Sequence, residues 1–223
     1  RGPRRAGGAG AALAAMILVP SRGRPGLLAR FFEQSKPRLP GLVLLDEDDA
    51  HHYASVALPL HWIRFVRPRA PLVEIFNRAW RAFPMEPWYG MLGDDIVCSP
   101  EYWDIELARA ATPNRLAWGD DGINGEKLGT MIFIGGELVR AMDWLQHPKL
   151  GHLYADAVWR EIAMRAGLAT YRGDIRTTHL RIQDATYRER AKAGDPETFE
   201  RILAQEIAGL VSRVTPSVGA QPA

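Results

Sequence analysis

The chain of 223 residues contains little cysteine, little lysine and no long apolar run. Its single cysteine, Cys98, excludes an internal disulfide framework and any zinc site built from cysteines. No apolar run approaches the roughly 20 residues that a membrane-spanning helix needs, so we expect no membrane span and a cytoplasmic protein. The formal net charge of +2 is too small to require a nucleic-acid partner.

Arginine supplies nearly all of the positive charge. Guanidinium groups match phosphate oxygens in bidentate geometry, so this composition is compatible with an anionic ligand. The codon usage of a GC-rich genome would produce the same excess of arginine over lysine. The composition by itself therefore does not identify a ligand.

The middle of the chain has the composition of one globular domain, which we expect to span residues 16–214. Residues 1–15 are mostly arginine, glycine and alanine without apolar bulk, and we expect them to form a disordered leader. Residues 215–223 are expected to form a flexible tail.

Short apolar runs alternate with amphipathic segments along this domain. Fully apolar runs predict buried strands at 16–19, 42–45, 63–66 and 130–134, with a return strand at 171–178. Helical spacing of apolar residues predicts helices around 27–32, 72–80, 138–145, 155–166 and 199–211. This order predicts an α/β fold with a mainly parallel central sheet flanked by helices, and a ligand site beyond the carboxyl ends of its strands.

Two adjacent acids, Asp94 and Asp95, stand where the apolar stretch from Tyr89 meets a turn. Paired carboxylates in such a position suit Mg²⁺ or Mn²⁺, which bind carboxylate oxygens together with the phosphates of a substrate. A solvated turn or a helix N-cap would also explain two aspartates here. The flanking motifs distinguish these alternatives.

The sequence Pro20-Ser21-Arg22-Gly23-Arg24-Pro25 after the first strand, the acids 46–49 after the second and the later Asp94-Asp95 pair occur in an order that resembles GT-A glycosyltransferases, particularly family-2-like enzymes. The segment 179–187 also resembles small bacterial and phage members of this group. The resemblance covers about Met16 to Thr186. It implies the GT-A fold and a metal-dependent transfer of a sugar from a nucleotide-sugar, with a UDP-sugar as the expected donor, to an acceptor hydroxyl.

This resemblance also implies roles for individual residues around the donor. Pro20, Ser21, Arg22 and Arg24 would line the base pocket, Asp46 or Asp48 would contact base or ribose, and Asn77 matches the family's helix asparagine. Gly93 replaces the first acid of the family's Asp-x-Asp pattern, so Asp95 is the expected metal ligand and Asp94 a ribose contact or indirect partner. His179 is the expected further ligand, which favours Mn²⁺; a hydrogen-bonded histidine at a strand end is the alternative. Arg22, Arg24 or Arg181 would assist the leaving diphosphate.

On the acceptor side, the resemblance implies that Asp156 is the general base, with His152 one helical turn earlier as an acceptor contact or a partner of Asp156. An acid favoured by the helix dipole is the alternative for Asp156. The glycine-rich stretch 118–126 would be a mobile sugar or acceptor loop, with Trp118 stacking on a pyranose and Asp120 and Asp121 binding hydroxyls. A hairpin turn explains Asp121-Gly122 equally well. Asp184 and Tyr187 would order a loop over the diphosphate or serve the structure alone.

A base at Asp156 favours inversion, although retention stays open because retaining enzymes also use a histidine metal ligand. Nucleotidyl transfer on the same sheet topology is an alternative, but the 21–25 loop lacks the expected lysine and glycine-rich sequence. A non-catalytic nucleotide-sugar-binding module is a further alternative, suggested by Gly93. Small sugars, lipids, proteins and modified bases of phage DNA all remain open as acceptors.

Overall fold

The computed structural model describes residues 16–127, 129–180 and 195–215. The strands are β1 (Met16–Pro20), β2 (Gly41–Asp46), β3 (Trp62–Arg67), β4 (Trp88–Met91), β5 (Ile96–Ser99), β6 (Leu116–Asp120), β7 (Ile132–Gly135) and β8 (Ala169–His179). The helices are α1 (Pro25–Ser35), α2 (Leu72–Ala82), α3 (Trp103–Ala111), α4 (Gly136–Met142), α5 (Ala155–Ala166), α6 (Asp195–Gln205) and α7 (Ile207–Val214), with short 3₁₀ turns at Ala50–Tyr53 and Gly125–Lys127.

These strands form one sheet in the order β3-β2-β1-β4-β7-β6-β8-β5. Strands β1 to β4 pair in parallel, as do β6 and β8, whereas β7 runs antiparallel to both of its neighbours and β5 antiparallel to β8. The first strands are buried on both faces, as their continuous apolar runs predict. The predicted α/β architecture with a mainly parallel sheet is therefore confirmed.

Helices cover both faces of the sheet. On one face, α2, α4, α5 and the C-terminal helices enclose a core with Phe76, Trp80 and Trp159 at its centre. On the other face, α1 and α3 pack Phe31 and Trp103 against the same strands. Burial on two sides leaves the ends of the strands as the place where polar side chains meet.

The structure contains β5 and α3, which the sequence analysis did not predict, and it differs from the expectation in two further places. The predicted helix at 199–211 consists of two helices, α6 and α7, that meet at Glu206. Part of the predicted mobile loop at 118–126 is strand β6, which lies inside the sheet between β7 and β8. Within the described ranges, the helices lack the length and apolar character needed to cross a bilayer. The predicted leader and residues 216–223 lie outside the described residues, as do Arg181, Asp184 and Tyr187.

Candidate active site

The carboxyl ends of β1, β2 and β4 lie side by side. The amide of Ser21 donates to the carbonyl of Leu44, and the amide of Leu92 donates to the carbonyl of Leu18, so the chain leaves all three strands at the same edge. This edge is where ligands bind in open α/β sheets. It brings the loop after β1, the acids after β2 and the acid pair after β4 together.

A cavity of about 550 Å³ opens at this edge. Of the residues predicted to hold the nucleotide, it is lined by Pro20, Ser21, Arg22, Arg24, Asp46 and Asp94. The sequence analysis did not identify Arg69 and Pro71, which also line it from the segment after β3. Asp48 is not among the lining residues, and its side chain is exposed.

Arg22 joins the two acids that follow β2. One guanidinium nitrogen donates to Asp46 Oδ2 at 2.8 Å, and the guanidinium binds the carboxylate of Asp48 through both of its terminal nitrogens at 2.7 and 2.8 Å. The hydrogen bond to Asp48 raises the pKa of Arg22 although burial opposes it, and the same bond lowers the pKa of Asp48. Asp48 therefore fixes the position of the Arg22 guanidinium. Arg22 and Asp46 together offer hydrogen-bond donors and acceptors to the cavity.

Asp94 lies in a buried polar network beneath the site. Its Oδ2 accepts a hydrogen bond from Ser21 Oγ at 2.6 Å, and its Oδ1 accepts one from Arg24 Nη1 at 3.2 Å. Burial raises the pKa of Asp94 to about 6, although Ser21 and Arg24 oppose that rise. The same Arg24 nitrogen lies 3.9 Å from Asp95 Oδ2, so one buried guanidinium faces both acids.

Arg24 has a second role beside the one predicted for it in the base pocket. Arg24 does line the larger cavity, but its guanidinium is buried against Asp94 and Asp95. A buried charge needs a partner, and two adjacent carboxylates supply it. The geometry makes Arg24 the internal counter-cation of the acid pair.

Asp95 and His179 meet because β5 and β8 pair antiparallel, with Ile96 opposite His179. The amide of Leu180 donates to the carbonyl of Asp95 at 2.8 Å, which closes the end of the ladder. His179 Nε2 then lies 3.6 Å from Asp95 Oδ1. The two predicted metal ligands are adjacent.

A second cavity, of about 290 Å³, contains this pair. Asp94, Asp95, His179, His152 and Asp156 all line it, and it shares Pro20, Leu72, Asp94 and His152 with the larger cavity. The two cavities therefore adjoin, and the residues predicted for metal binding and catalysis line one of them.

The donor atoms available to a cation are few. In the described part of the chain, no group of three or more histidine, cysteine or acidic side chains is arranged to hold a metal ion. Asp95 and His179 offer one carboxylate and one imidazole, whereas each oxygen of Asp94 already accepts a hydrogen bond from Ser21 or Arg24. Such a pair fits an ion whose other ligands are water and the phosphates of a substrate, as Mg²⁺ or Mn²⁺ is held in many phosphate sites.

Asp156 stands in the first turn of α5, at the wall of the smaller cavity. Burial raises the pKa of its carboxyl to about 6, and the hydrogen bond from the amide of Ala157 to Oδ1 only partly opposes this. A carboxylate with a pKa near 6 is ionised at neutral pH and still basic enough to accept a proton. His152 lines both cavities from the loop that leads into α5.

Asn77 does not line either cavity. Its Oδ1 accepts hydrogen bonds from the amides of Leu145 and Gln146, and its Nδ2 donates to the carbonyl of Gln146. The side chain thus holds the segment that carries Gln146, a residue of the smaller cavity that the sequence gave no reason to select. This geometry makes Asn77 a positioning residue, in place of the nucleotide contact that its motif suggested.

The three residues assigned to a sugar loop also need correction. Trp118 is only 1% exposed and packs in the core of the sheet. Asp121 accepts hydrogen bonds from the amides of residues 123–125, which lower its pKa although burial opposes this. Asp120 pairs with Arg176 at 3.1 Å. Neither acid lines the two cavities, and Asp120 also accepts a hydrogen bond from the amide of Gly122 in its own loop.

No protein-family model matches the chain, and no curated protein matches its sequence. Solved structures do match. The mannosyltransferase PcManGT from Pyrobaculum calidifontis, in complex with GDP-mannose and Mn²⁺, is 14% identical with a TM-score of 0.58 over 94% of this chain and 76% of its own. A protein from Desulfovibrio desulfuricans assigned as a nucleotide-diphospho-sugar transferase is 12% identical, with a TM-score of 0.52 over 90% of this chain and 98% of its own.

A fragment of TarS from S. aureus is 10% identical, with a TM-score of 0.53 over 74% of this chain and 60% of the fragment. These TM-scores show a common fold. Sequence identities this low leave the activity to be argued from the site. The architecture of this chain is that of the GT-A, or nucleotide-diphospho-sugar transferase, fold.

Proposed function

We propose that the protein is a metal-dependent glycosyltransferase that moves a sugar from a nucleoside-diphosphate donor, a UDP-sugar, to an acceptor hydroxyl. One observation carries the proposal: Asp95, His179, His152 and Asp156 line a single cavity that adjoins a larger one at the carboxyl ends of β1, β2 and β4. The structure of PcManGT in complex with GDP-mannose and Mn²⁺ supports a nucleotide-sugar and a divalent ion as ligands of this fold.

The larger cavity is suited to the nucleoside. Asp46 can accept a hydrogen bond from a ring N–H or a ribose hydroxyl, and Arg22 beside it can donate to a carbonyl oxygen. Arg69 brings a further positive charge to the same cavity. These groups offer both donors and acceptors, as recognition of a uracil base requires.

Asp95 and His179 would hold the divalent ion, together with phosphate oxygens and water. Arg24 balances one of the two charges of Asp94 and Asp95, so the acid pair keeps one net negative charge for a cation. When bound, the ion would offset the negative charge that develops on the departing diphosphate. Arg22, Arg24 and Arg69 are the described arginines that line the donor cavity, and the guanidinium of Arg24 is engaged by the acid pair.

Asp156 would accept the proton of the attacking acceptor hydroxyl. Its pKa of about 6 keeps it ionised at pH 7, and its partial burial strengthens it as a base. His152, at the junction of the two cavities, would contact the donor and acceptor where they meet. A single base acting on the acceptor favours inversion at the anomeric carbon.

A panel of nucleotide-sugars, assayed for release of free nucleoside diphosphate, tests the proposal. We expect one donor to be hydrolysed slowly in the presence of Mn²⁺, and we expect this release to disappear without Mn²⁺ and in Asp95→Ala. Release that is unaffected in Asp95→Ala would remove the metal assignment. Production of pyrophosphate from a nucleoside triphosphate and a sugar phosphate would instead identify a nucleotidyltransferase, and nucleotide binding without turnover would identify a binding module.

A further inference from the structure

The loop 151–154 contributes residues to both cavities. Gly151 and His152 line the larger one, whereas His152, Leu153 and Tyr154 line the smaller one beside Asp156. The loop leads directly into α5, so its conformation also sets the position of Asp156. Whatever holds this loop therefore shapes the reaction site.

Helix α6 holds the loop through the carboxylate of Asp195. The amide of Gly151 donates to Oδ1 at 2.8 Å, and the amides of His152 and Leu153 donate to Oδ2 at 2.8 and 2.7 Å. Asp195 is only 3% exposed. A buried carboxylate that accepts three charge-assisted hydrogen bonds from consecutive amides fixes the path of the backbone.

Phe199 of the same helix makes a second contact with the loop. Its ring stacks on Tyr154 with a centroid distance of 4.9 Å and an interplanar angle of 16°. Phe199 follows Asp195 by four residues, so both side chains project from one face of α6. Two independent contacts from one helix face therefore hold four successive residues.

Tyr154 has an unusual backbone conformation. Its φ of 65° lies in the left-handed region, which bulky residues rarely adopt and which the surrounding contacts must maintain. Tyr154 remains 37% exposed and lines the smaller cavity, while Phe199 covers one face of its ring. An aromatic ring is thus presented two residues before the proposed base.

The wall of this cavity combines apolar and polar groups. Phe76, Met91 and Ile132 are apolar, while Thr130 and Gln146 are polar. Gln146 is buried, and its Oε1 has no hydrogen-bond partner among the described residues. A sugar ring has the matching chemistry, because one molecule carries both an apolar C–H face and hydroxyl groups.

We propose that the loop 151–154 forms an acceptor subsite for the ring of a sugar, with Tyr154 as its platform, and that Asp195 and Phe199 are the positioning residues that hold it. This proposal rests on the proposed function, since it assigns the acceptor of that reaction. Acceptors that offer a hydroxyl without a ring gain nothing from the platform. Transfer to a pyranoside should therefore depend on the ring of Tyr154, and transfer to a simple polyol should not.

The experiment compares methyl pyranosides with glycerol as acceptors, using the donor that is hydrolysed in the panel. In Tyr154→Leu we expect the KM for the pyranoside to rise about threefold to tenfold relative to that for glycerol, the range expected for loss of an aromatic contact. Tyr154→Phe should retain the wild-type KM because it keeps the ring. An equal change for both acceptors in Tyr154→Leu would overturn the platform.

The positioning residues are tested in Asp195→Asn and Phe199→Leu, with Glu200→Gln as the matched control, because Glu200 is an exposed acid of the same helix. We expect both variants to raise the KM for the pyranoside, and Asp195→Asn also to speed amide hydrogen exchange in the peptide that contains 151–153. Glu200→Gln should change neither quantity. Unchanged exchange and unchanged KM in Asp195→Asn would show that this carboxylate does not position the loop.

Failure of the subsite and failure of the proposed function give different results. If no nucleotide-sugar is turned over, the proposed function fails, and saturation-transfer NMR of the methyl pyranosides still tests the subsite. Saturation of the pyranoside C–H protons that is present with the wild type and lost in Tyr154→Leu supports the platform without any turnover. If a donor is turned over but neither kinetics nor NMR detects binding of a pyranoside, the acceptor subsite is wrong and the proposed function stands.

Discussion

The Nε2 atom of His179 lies 3.6 Å from Oδ1 of Asp95, although Asp95 lies in the turn before β5 and His179 ends β8. Their proximity depends on the antiparallel pairing of β5 with β8, which sets His179 opposite Ile96. Each oxygen of Asp94 accepts a hydrogen bond from Ser21 or Arg24, and Asp95 and His179 are the described residues that we propose as ligands of the cation.

The first prediction concerns Asp95. Calorimetric titration of Asp95→Asn with UDP should show affinity that no longer depends on Mn²⁺, because the variant loses the charged ligand of the ion. In the wild type, Mn²⁺ should tighten UDP binding by about tenfold or more. Asp174→Asn is the control, since Asp174 is an exposed carboxylate on the strand that carries His179. Mn²⁺-dependent binding that survives in Asp95→Asn would contradict the assignment.

The second prediction concerns Arg24. Arg24→Met leaves Asp94 and Asp95 without their buried counter-cation, so we expect the free energy of unfolding to fall by about 3–5 kcal/mol. Mn²⁺ should recover part of this loss, because a bound cation supplies the missing positive charge. Thermal or urea unfolding with and without Mn²⁺ measures both effects.

Arg30→Met provides the matched control for this experiment. Arg30 is exposed on α1, the helix that Arg24 precedes, and hydrogen bonds to Gln34, so its replacement should cost less than about 1 kcal/mol and show no compensation by Mn²⁺. If Arg24→Met were as stable as Arg30→Met, the guanidinium would not be needed to balance the acid pair.

The third prediction concerns the loop after β6. Asp121→Ala removes the acceptor of several backbone amides, so we expect the free energy of unfolding to fall by about 1–3 kcal/mol. The KM for the acceptor should stay within about twofold of the wild type, because Asp121 does not line the cavities. Urea unfolding measures the loss of stability, and steady-state kinetics measure the KM. A raised KM at unchanged stability would support the predicted role of Asp121 in binding a sugar.

The part of the fold that could be predicted is the part with local signals. The apolar runs of β1 and β2 and the acids that follow them place Asp46 at the carboxyl edge of the sheet, where the structure has it. The fold class followed from this alternation of strands and helices. The position of Asp94 and Asp95 at the same edge followed from the order of the motifs.

Other features depend on contacts between distant segments, and the sequence could not reveal them. Trp118 stands among glycine and aspartate, which are typical of a loop, yet pairing with β7 and β8 buries it. Asn77 matches a motif, but only the fold shows that its amide bonds to residues 145 and 146. The sequence Asp195-Pro196-Glu197 is typical of a helix start, and no local pattern indicates that its first carboxylate binds another loop.

The last prediction concerns Asp156, whose environment favours the protonated carboxyl. Burial raises its pKa from the ordinary 3.8 to about 6 in the folded protein, so the folded state binds this proton more tightly than the unfolded chain does. Ionisation of Asp156 therefore costs stability as the pH rises from about 4 to above 6. Asp156→Asn should raise the free energy of unfolding at pH 7 by about 1–3 kcal/mol, and the gain should disappear below pH 4.

The same substitution should lower the rate of transfer by about 100-fold or more, because the acceptor hydroxyl loses its base. In the wild type, kcat/KM should rise with pH through about 6 and then level off, since the ionised form is the active one. Glu137→Gln, an exposed acid in the first turn of α4, is the control that should neither gain stability nor lose activity. If Asp156→Asn is more stable but inactive, the wild-type protein loses stability by keeping a basic carboxylate beside the acceptor. A variant that is active, or that is no more stable than the wild type at pH 7, would contradict this role.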